Sequence, residues 1–379
     1  MTRSTPKNNN PGGVLRRRGK FLSIMKQMTI DRGYFTISDV AEAAGVPRST
    51  TQDWIKRLVK EGCIFVKNKS SGRVPARYAS KSAVPQTTCK RIFTVEDSFE
   101  VEIFHECLSC GCIGFCEYHH KKAGGAAIEV RHDGMFLRET AKIGTNNPLD
   151  MEHAAVGLMS VRKEGNEIVQ TIRSVFGGPA YSLLSMMGHA KGVNSVEIKS
   201  ADGFVTGEVR TNALIPVTIG VDDTDRKGCG GATFALSQEL LEYLSESKGV
   251  IGISHHVAVL SSDIKEKTAG NSCSFIEAAV EPEVFETLSK KVTKFVDDES
   301  ASDEWGVAIM KGISVPTELL MFAAKARKKR VSMDEALKIA KNNGIQTFGG
   351  RGIIGALCAV SFKNQPTEVM LDLENDVII

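Results

Sequence analysis

The apolar run at 217–221 (Val-Thr-Ile-Gly-Val) passes directly into Asp222-Asp223-Thr224-Asp225, with no turn residue between them. A short β-branched run of this kind reads as a buried strand. The chain therefore has to deliver three carboxylates to one strand end, where they repel one another if unoccupied. A hard divalent cation relieves that repulsion, and Mg²⁺ favours a few carboxylates together with phosphate oxygens. The position also suits a ligand, because open α/β sheets bind theirs beyond the C-terminal ends of strands. Gly228, Gly230 and Gly231 follow, ahead of a helical pattern near 232–245. Glycines there let backbone N–H groups approach an anion at a helix N-terminus. The alternative for the same string is a capped acidic turn.

Two further strings carry similar chemistry. Lys267-Thr268-Ala269-Gly270-Asn271 offers a cation, a hydroxyl, a flexible glycine and an amide in consecutive positions; the alternative is a solvated turn between strands. Phe348-Gly349-Gly350-Arg351-Gly352-Ile353-Ile354-Gly355 contains GxGxxG, but the C-terminus follows too closely for the roughly 30-residue βαβ unit of a dinucleotide site. It reads instead as a phosphate-facing glycine turn in which Arg351 offers bidentate contacts, or as a packing turn before the apolar run at 353–360.

Together and in order, IGVDDTD at 219–225, KTAGN at 267–271 and GGRGIIGAL at 349–357 resemble the catalytic half of the archaeal isoleucine-tRNA agmatinylcytidine synthetase family. The resemblance covers roughly residues 216–362. It implies a kinase-like and ferredoxin-like α/β domain that uses ATP and Mg²⁺ to phosphorylate a cytidine carbonyl before agmatine displaces the phosphate. The family's metal-binding aspartates fall on Asp222, Asp223 and Asp225, its KTRGN string on Lys267–Asn271, and its GRG turn on Gly350-Arg351-Gly352. Gly228, Thr233, Thr268, Gly270, Asn271, Gly350 and Gly352 are then the expected nucleotide contacts. Where the family has GMCTT, this chain has Gly228-Cys229-Gly230-Gly231-Ala232-Thr233, so the phosphorylated threonine falls on Ala232, with Thr233 adjacent. The arginine of KTRGN is Ala269 here. The family's C-terminal OB and zinc-ribbon domains have no expected counterpart. The chain is also similar to the methanogenesis marker protein 11 group, which looks like a relative of the same kinase-like domain in methanogenic archaea.

The formal net charge of +3 hides a division. Residues 1–80 hold 16 basic and 5 acidic residues, a net +11, which leaves −8 for the remainder. A basic head on an acidic body points to a polyanion partner for the head. Its pattern suits a winged helix-turn-helix at 19–80, after a disordered basic tail at 1–18. A first helix carries Phe21, Ile24, Met25 and Met28. Thr36 caps a second with the face Ile37, Val40, Ala41 and Ala44. Pro47 opens a third that buries Thr51, Trp54, Ile55, Leu58 and Val59, and two strands near 63–66 and 74–78 form the wing. In that arrangement the third helix enters the major groove. Arg48, Ser49, Thr50 and Gln52 are the expected base readers, and Lys56, Arg57, Lys60, Lys67, Lys69 and Arg73 the phosphate contacts. Dimerisation or protein docking is the alternative use.

Four of the nine cysteines lie in Cys107-Leu-Ser-Cys110-Gly-Cys112-Ile-Gly-Phe-Cys116. That density suits a soft metal on thiolates, Zn²⁺ or an iron–sulfur cluster, rather than a disulfide framework. Cys89, His105, His119 and His120 are candidate replacements. His153, His189 and the pair His255-His256 read as structural or surface histidines.

The expected fold is α/β and α+β multidomain. The winged helix is followed by a cysteine-rich metal-binding segment at 81–123, an α/β middle domain at 124–215 and the synthetase-like ATP/Mg-binding domain at 216–379, ending in a strand-rich tail. Composition is globular, with 42% hydrophobic and 25% charged residues. No apolar run reaches the roughly 18 residues of a membrane span. Lys20 and Lys26 interrupt any signal-peptide core, so a cytoplasmic chain is expected. The expected activity is ATP- and Mg²⁺-dependent phosphoryl transfer with an unassigned acceptor. The alternatives are a methanogenesis-associated DNA-binding regulator with the kinase-like domain as sensor, and a scaffold that docks a metalloenzyme. Expected partners are nucleic acid at 1–80, DNA ahead of RNA, a second copy in a homodimer, and a methanogenesis-related protein.

Overall fold

The structure is a computed structural model that describes residues 11–72, 74–83, 89–175, 184, 186–228, 231–265, 267 and 270–379. The chain divides into two compact units, residues 1–87 and 88–379.

The first unit comprises α1 (Pro11–Arg32), α2 (Ile37–Ala44), α3 (Arg48–Lys60) and an antiparallel pair, β1 (Ile64–Asn68) with β2 (Arg77–Ser80). Thr36 caps α2 as read, and Asp39 completes a capping box by accepting from the Thr36 N–H at 2.8 Å. Phe21, Met25, Phe35, Val40, Ile55, Leu58 and Ile64 form the core. Trp54 and Val59 are half-buried at its edge. The basic tail ends sooner than its composition suggests. Residues 1–10 lie outside the described residues, but α1 already includes residues 11–18. Arg18 anchors that stretch by donating to Glu61 Oε2 at 3.0 Å and Cys63 Sγ at 3.2 Å.

The second unit is organised by one long strand. β3 (Cys89–Glu96), β4 (Glu100–Cys107), α4 (Cys110–Ala123), β5 (Ala127–Asp133), β6 (Phe136–Lys142), β7 (Val156–Glu164), β8 (Glu167–Val175) and β9 (Val193–Ala201) precede β10 (Phe204–Asp222). The run after Gly177-Gly178-Pro179 predicts a helix over 180–190, part of which lies outside the described residues. The N-terminal half of β10 pairs antiparallel with β8 and β9, and Ala213 and Leu214 pair parallel with β3. Its C-terminal half lies between β12 (Ser272–Val280) and β13 (Gly306–Lys311). β11 (Val250–Val259) flanks β12, and β14 (Gln346–Gly349) flanks β13. β10 therefore runs unbroken across the 215/216 boundary read from the sequence.

Helices cover both faces of this C-terminal sheet. α5 (Thr233–Glu246) and α6 (Pro282–Glu299) close one core with Val217, Ile219 and Val221. α7 (Thr317–Lys328), α8 (Met333–Asn342), α9 (Ile353–Ser361) and α10 (Thr367–Leu371) close the other. The tail is helical where strands were expected. Residues 353–360 are buried almost throughout, and a uniformly apolar run gives no periodicity to separate helix from strand. Among the described residues, no helix is long and apolar enough to cross a membrane.

Candidate active site

β10 ends where the sequence places the acidic string. Asp222 pairs with Gly306 as its last ladder residue, and the chain turns at Asp223, whose φ is +55°. A non-glycine residue in that left-handed region marks a conformation held by its surroundings. Contacts at Asp223 and at Thr224 hold it. Arg351 donates Nε and Nη2 to Asp223 Oδ2 at 3.0 and 2.8 Å. Thr224 is buried, and its Oγ1 lies 3.1 Å from Thr233 Oγ1 at the start of α5. The Thr224 carbonyl accepts from Ala301 N at 2.9 Å.

Asp222 is the perturbed group. Burial pushes its carboxyl up to about 8, and the charges of Asp223 and Asp225 add to this against the Asp223 N–H and Arg351. At neutral pH the carboxyl holds a proton that a divalent cation would displace. Three carboxylates are the donor type that a hard cation such as Mg²⁺ takes, although among the described residues they do not stand together as a preassembled ligand group.

A cavity of about 670 Å³ opens over this strand end. Asp222, Asp223, Asp225, Lys267, Asn271 and Arg351 line it as read from sequence, with Thr233, Gly270 and Gly352. Lys267 Nζ donates to the Ser262 carbonyl at 2.6 Å, and Asn271 Nδ2 to the Ser261 carbonyl at 2.6 Å. Gly228 and Gly350 are not among the lining residues, and Thr268 lies outside the described residues. The sequence reading missed Phe234, Met333, Ile264, Lys329 and Arg330, which also line the cavity. The basic run 327–330 carried a legible signal for the two cations. Phe234 carried none, since an aromatic at a helix start is ordinary; here it is 54% exposed into the cleft.

The glycines of the last string serve packing. A Cβ on Gly355 would fall 1.6 Å from Asp222 Oδ2, and one on Gly352 would fall 2.4 Å from Gly306 N. Gly220 meets Ala356 O at 2.1 Å in the same way. These contacts seat the start of α9 directly on β10 and β13. Arg351 is thereby placed against Asp223, while its N–H donates to Glu304 Oε2 at 3.0 Å.

The cysteine run does not converge as four. Cys107 ends β4, and Cys112 and Cys116 lie on α4 beside it. Cys110 is exposed, with its Sγ 3.9 Å from Met135 Sδ. In the first unit, α3 exposes Arg48, Ser49, Gln52, Lys56 and Lys60, and Thr50 is half-buried. Arg57 donates to Glu61 at 2.9 Å and lies over the Trp54 ring. Lys67 donates to the Gly33 carbonyl at 3.0 Å, and Lys69 is exposed. Arg73 lies outside the described residues. His153 is exposed against Asp150, and His255 and His256 lie on β11.

No model of a known protein family matches the chain. It is 33% identical over 251 residues to the uncharacterized protein MJ0921 of Methanocaldococcus jannaschii, covering 64% of this chain and 82% of that one. It is 34% identical over 151 residues to the isoleucine-tRNA 2-agmatinylcytidine synthetase TiaS of Pyrococcus horikoshii, covering 38% of this chain and 35% of that enzyme. The chain thus spans about a third of the synthetase. The crystal structure of a complex of TiaS with its tRNA and ATP matches with a TM-score of 0.36 at 28% identity, over 40% of this chain and 37% of that one.

Proposed function

The chain belongs to the family of the Methanocaldococcus jannaschii protein MJ0921, and from that premise we propose that it is an ATP- and Mg²⁺-dependent phosphoryl-transfer enzyme. The observation that carries this reading is the end of β10, where Asp222, Asp223 and Asp225 share one cavity with Lys267 and Arg351. Its similarity to a tRNA-modifying synthetase over 151 residues agrees with it.

In this reading Asp222, Asp223 and Asp225 hold Mg²⁺, which supplies charge neutralisation on the phosphate oxygens. Phosphoryl transfer depends mostly on positioning and electrostatics, so the absence of an acid–base dyad from the string is no obstacle. Lys267, Lys329 and Arg330 surround the cavity with positive charge for a triphosphate. Arg351 exchanges part of its pairing with Asp223 for a phosphate oxygen. Phe234 and Met333 give the base an apolar wall, and aromatic stacking is worth roughly 1–3 kcal/mol per base. The acceptor class consistent with the resemblance is an oxygen of a nucleic-acid base.

Calorimetric titration with a non-hydrolysable ATP analogue, with and without Mg²⁺, tests the site. Asp222→Asn is expected to lose the Mg²⁺-dependent part of the affinity, at least tenfold, and Mg²⁺-dependent ATP turnover with it. Equal Mg²⁺-dependent binding by the variant would refute the assignment.

A second reading rests on α3. Its exposed Arg48, Ser49, Gln52, Lys56 and Lys60 lie in the segment of net +11. In this reading the first unit is a winged helix that binds DNA, and the cavity senses a nucleotide for a methanogenesis-associated regulator. Gel shifts with and without ATP distinguish the two readings. A regulator loses DNA retention on Arg48→Ala/Lys56→Ala and responds to ATP; an unchanged shift in that variant removes the regulator.

A further inference from the structure

β9 is nine residues long and ends the row of strands β7, β8, β10 and β9. Among the described residues its only ladder partner is β10. Residues 194, 195 and 197–201 are exposed, and Ile198 is 44% exposed. A long open edge of this kind offers unpaired backbone groups to another strand. The far end of the same row is closed. There β7 accepts from Gly144 N at Val161 O and from Asn147 N at Met159 O, and donates from Val161 N to Thr145 O.

The turn after β9 decides which of its backbone groups point outward. Asp202 and Gly203 join β9 to β10 with φ of +54° and +79°, the pair of positive values that a type I′ turn requires. Ala201 and Phe204 flank this turn as a ladder pair. In such a hairpin the flanking pair is hydrogen-bonded, and bonded and non-bonded pairs alternate beyond it. Lys199 and Glu197 therefore direct their N–H and C=O groups to β10, while Ser200, Ile198 and Val196 direct theirs outward.

The charges on this edge are unsatisfied within the chain. Glu197 stands directly across from Glu208 in the β9–β10 ladder, where like charges oppose each other. Glu208 is paired with Arg162 at 2.8 Å, and Arg210 with Glu164 at 2.6 Å. Among the described residues, Glu197 and Lys199 form no ion pair or hydrogen bond, and Lys199 acts on Glu208 only as a more distant charge. β5 is also an edge strand, but its Glu129 and Arg131 already pair with each other at 3.4 Å.

We infer that β9 is the surface through which two copies of this chain associate, edge to edge and antiparallel, about a two-fold axis at Ile198. That register sets Glu197 opposite the partner's Lys199 and Lys199 opposite the partner's Glu197. It brings the two Ile198 residues together as a hydrogen-bonded pair, in keeping with their outward backbone groups. Val196 then meets Ser200, and Ser195 meets Ala201. The partner supplies to both edge charges what their own sheet withholds. Backbone bonding gives the attraction and the charges fix the register. One strand pair is a small interface, so the dimer forms and dissociates in the micromolar range. Asp222 lies at the opposite end of β10 from this hairpin, and the cavity stays open in the pair.

Sedimentation velocity of the full chain in reductant, from low to high micromolar concentration, tests the interface. The wild type should pass from the mass of one chain to that of two. Glu197→Lys should weaken association at least about tenfold, because lysine then faces lysine at both cross-pairs. It also removes the opposition to Glu208, so the fold should not suffer. Glu197→Lys/Lys199→Glu should restore the dimer, since it reverses both charges and keeps their pairing. Ile198→Pro should abolish the dimer, because it removes an outward N–H at an edge where proline is tolerated; circular dichroism checks that the fold is kept. Should that variant fail to fold, the charge series decides. A wild type that keeps the mass of one chain throughout would overturn the proposal. So would a dimer that Glu197→Lys leaves intact, or one that the double reversal does not recover.

Discussion

Asp222 illustrates how one buried carboxyl can oppose stability. Its carboxyl is held near 8 in the fold, whereas an unfolded aspartate titrates at about 3.9. Between those values the native state holds a proton that the unfolded state has released. Stability therefore falls as pH rises from about 4 towards 8, and levels off above that. Asn at 222 has no charge to bury. In EDTA, Asp222→Asn should match the wild type near pH 4.5 and exceed it near pH 8. The expected gap is roughly 1–3 kcal/mol, below the full linkage value because the carboxylate faces an open cleft. Thermal unfolding of both proteins across this range tests it, and parallel curves would mean that Asp222 titrates normally. Added Mg²⁺ should narrow the gap by stabilising the wild type alone. The sequence already singles out this residue, since three carboxylates follow an apolar strand without a break. The left-handed turn at Asp223 and its Arg351 partner were not legible, because they depend on a contact 128 positions away.

At the scale of elements, the same loop looks different once α9 is in place. The GxGxxG string reads as a phosphate turn, yet Gly352 and Gly355 are required where the helix meets β10 and β13 with no room for a Cβ. Gly355→Ala should therefore cost roughly 1–3 kcal/mol by overpacking, and should weaken Mg²⁺–nucleotide binding by displacing Asp222. Gly19→Ala is the contrasting case. It also lies within a helix, but a Cβ there meets nothing within 4 Å, so the better helix former should add up to about 1 kcal/mol. Denaturant melts of both variants check the pair, and similar effects from the two would show that helix propensity, not close approach, governs Gly355. Other elements were hidden for a related reason. β3 and β4 are buried on both faces, so they lack the alternation that marks a half-exposed strand. Where one face is exposed and a side-chain cap is present, as in α2, the bounds were legible to within a residue or so.

At the scale of the molecule, the second unit is tied together by a buried charge that no sequence motif reveals. Arg138 on β6 is 2% exposed. It donates Nε and Nη2 to Glu102 of β4 at 2.7 and 3.1 Å, and Nη1 and Nη2 to Glu277 of β12 at 3.0 Å each. Lys363, also buried, stands 3.9 Å from Glu277 and donates to the Gly312 carbonyl. The contact joins strands on opposite sides of β10, which is why it depends on the strand order of the sheet rather than on local sequence. Arg138 and Lys363 hold the Glu277 carboxyl far below the ordinary range despite its burial. A depressed acid of this kind contributes stability above its unfolded pKa and loses it as pH falls through the native one. Arg138→Met keeps the volume but removes the guanidinium that Glu102 and Glu277 share, leaving Glu102 with Arg131 at 3.3 Å and Glu277 with Ser254 at 2.8 Å and Lys363 at 3.9 Å, so a loss of roughly 3–5 kcal/mol at neutral pH is expected. The variant should lose less relative to wild type in acid, where the carboxyls can take up protons. Replacing the partners as well, in Arg138→Met/Glu102→Gln/Glu277→Gln, should recover much of the loss, because the cost lies in the uncompensated charge and not in the missing guanidinium. Denaturant unfolding at pH 7 and pH 5 distinguishes these outcomes. A triple variant as unstable as the single one would show that Arg138 acts through its packing over the Phe104 ring, and not through the two carboxylates.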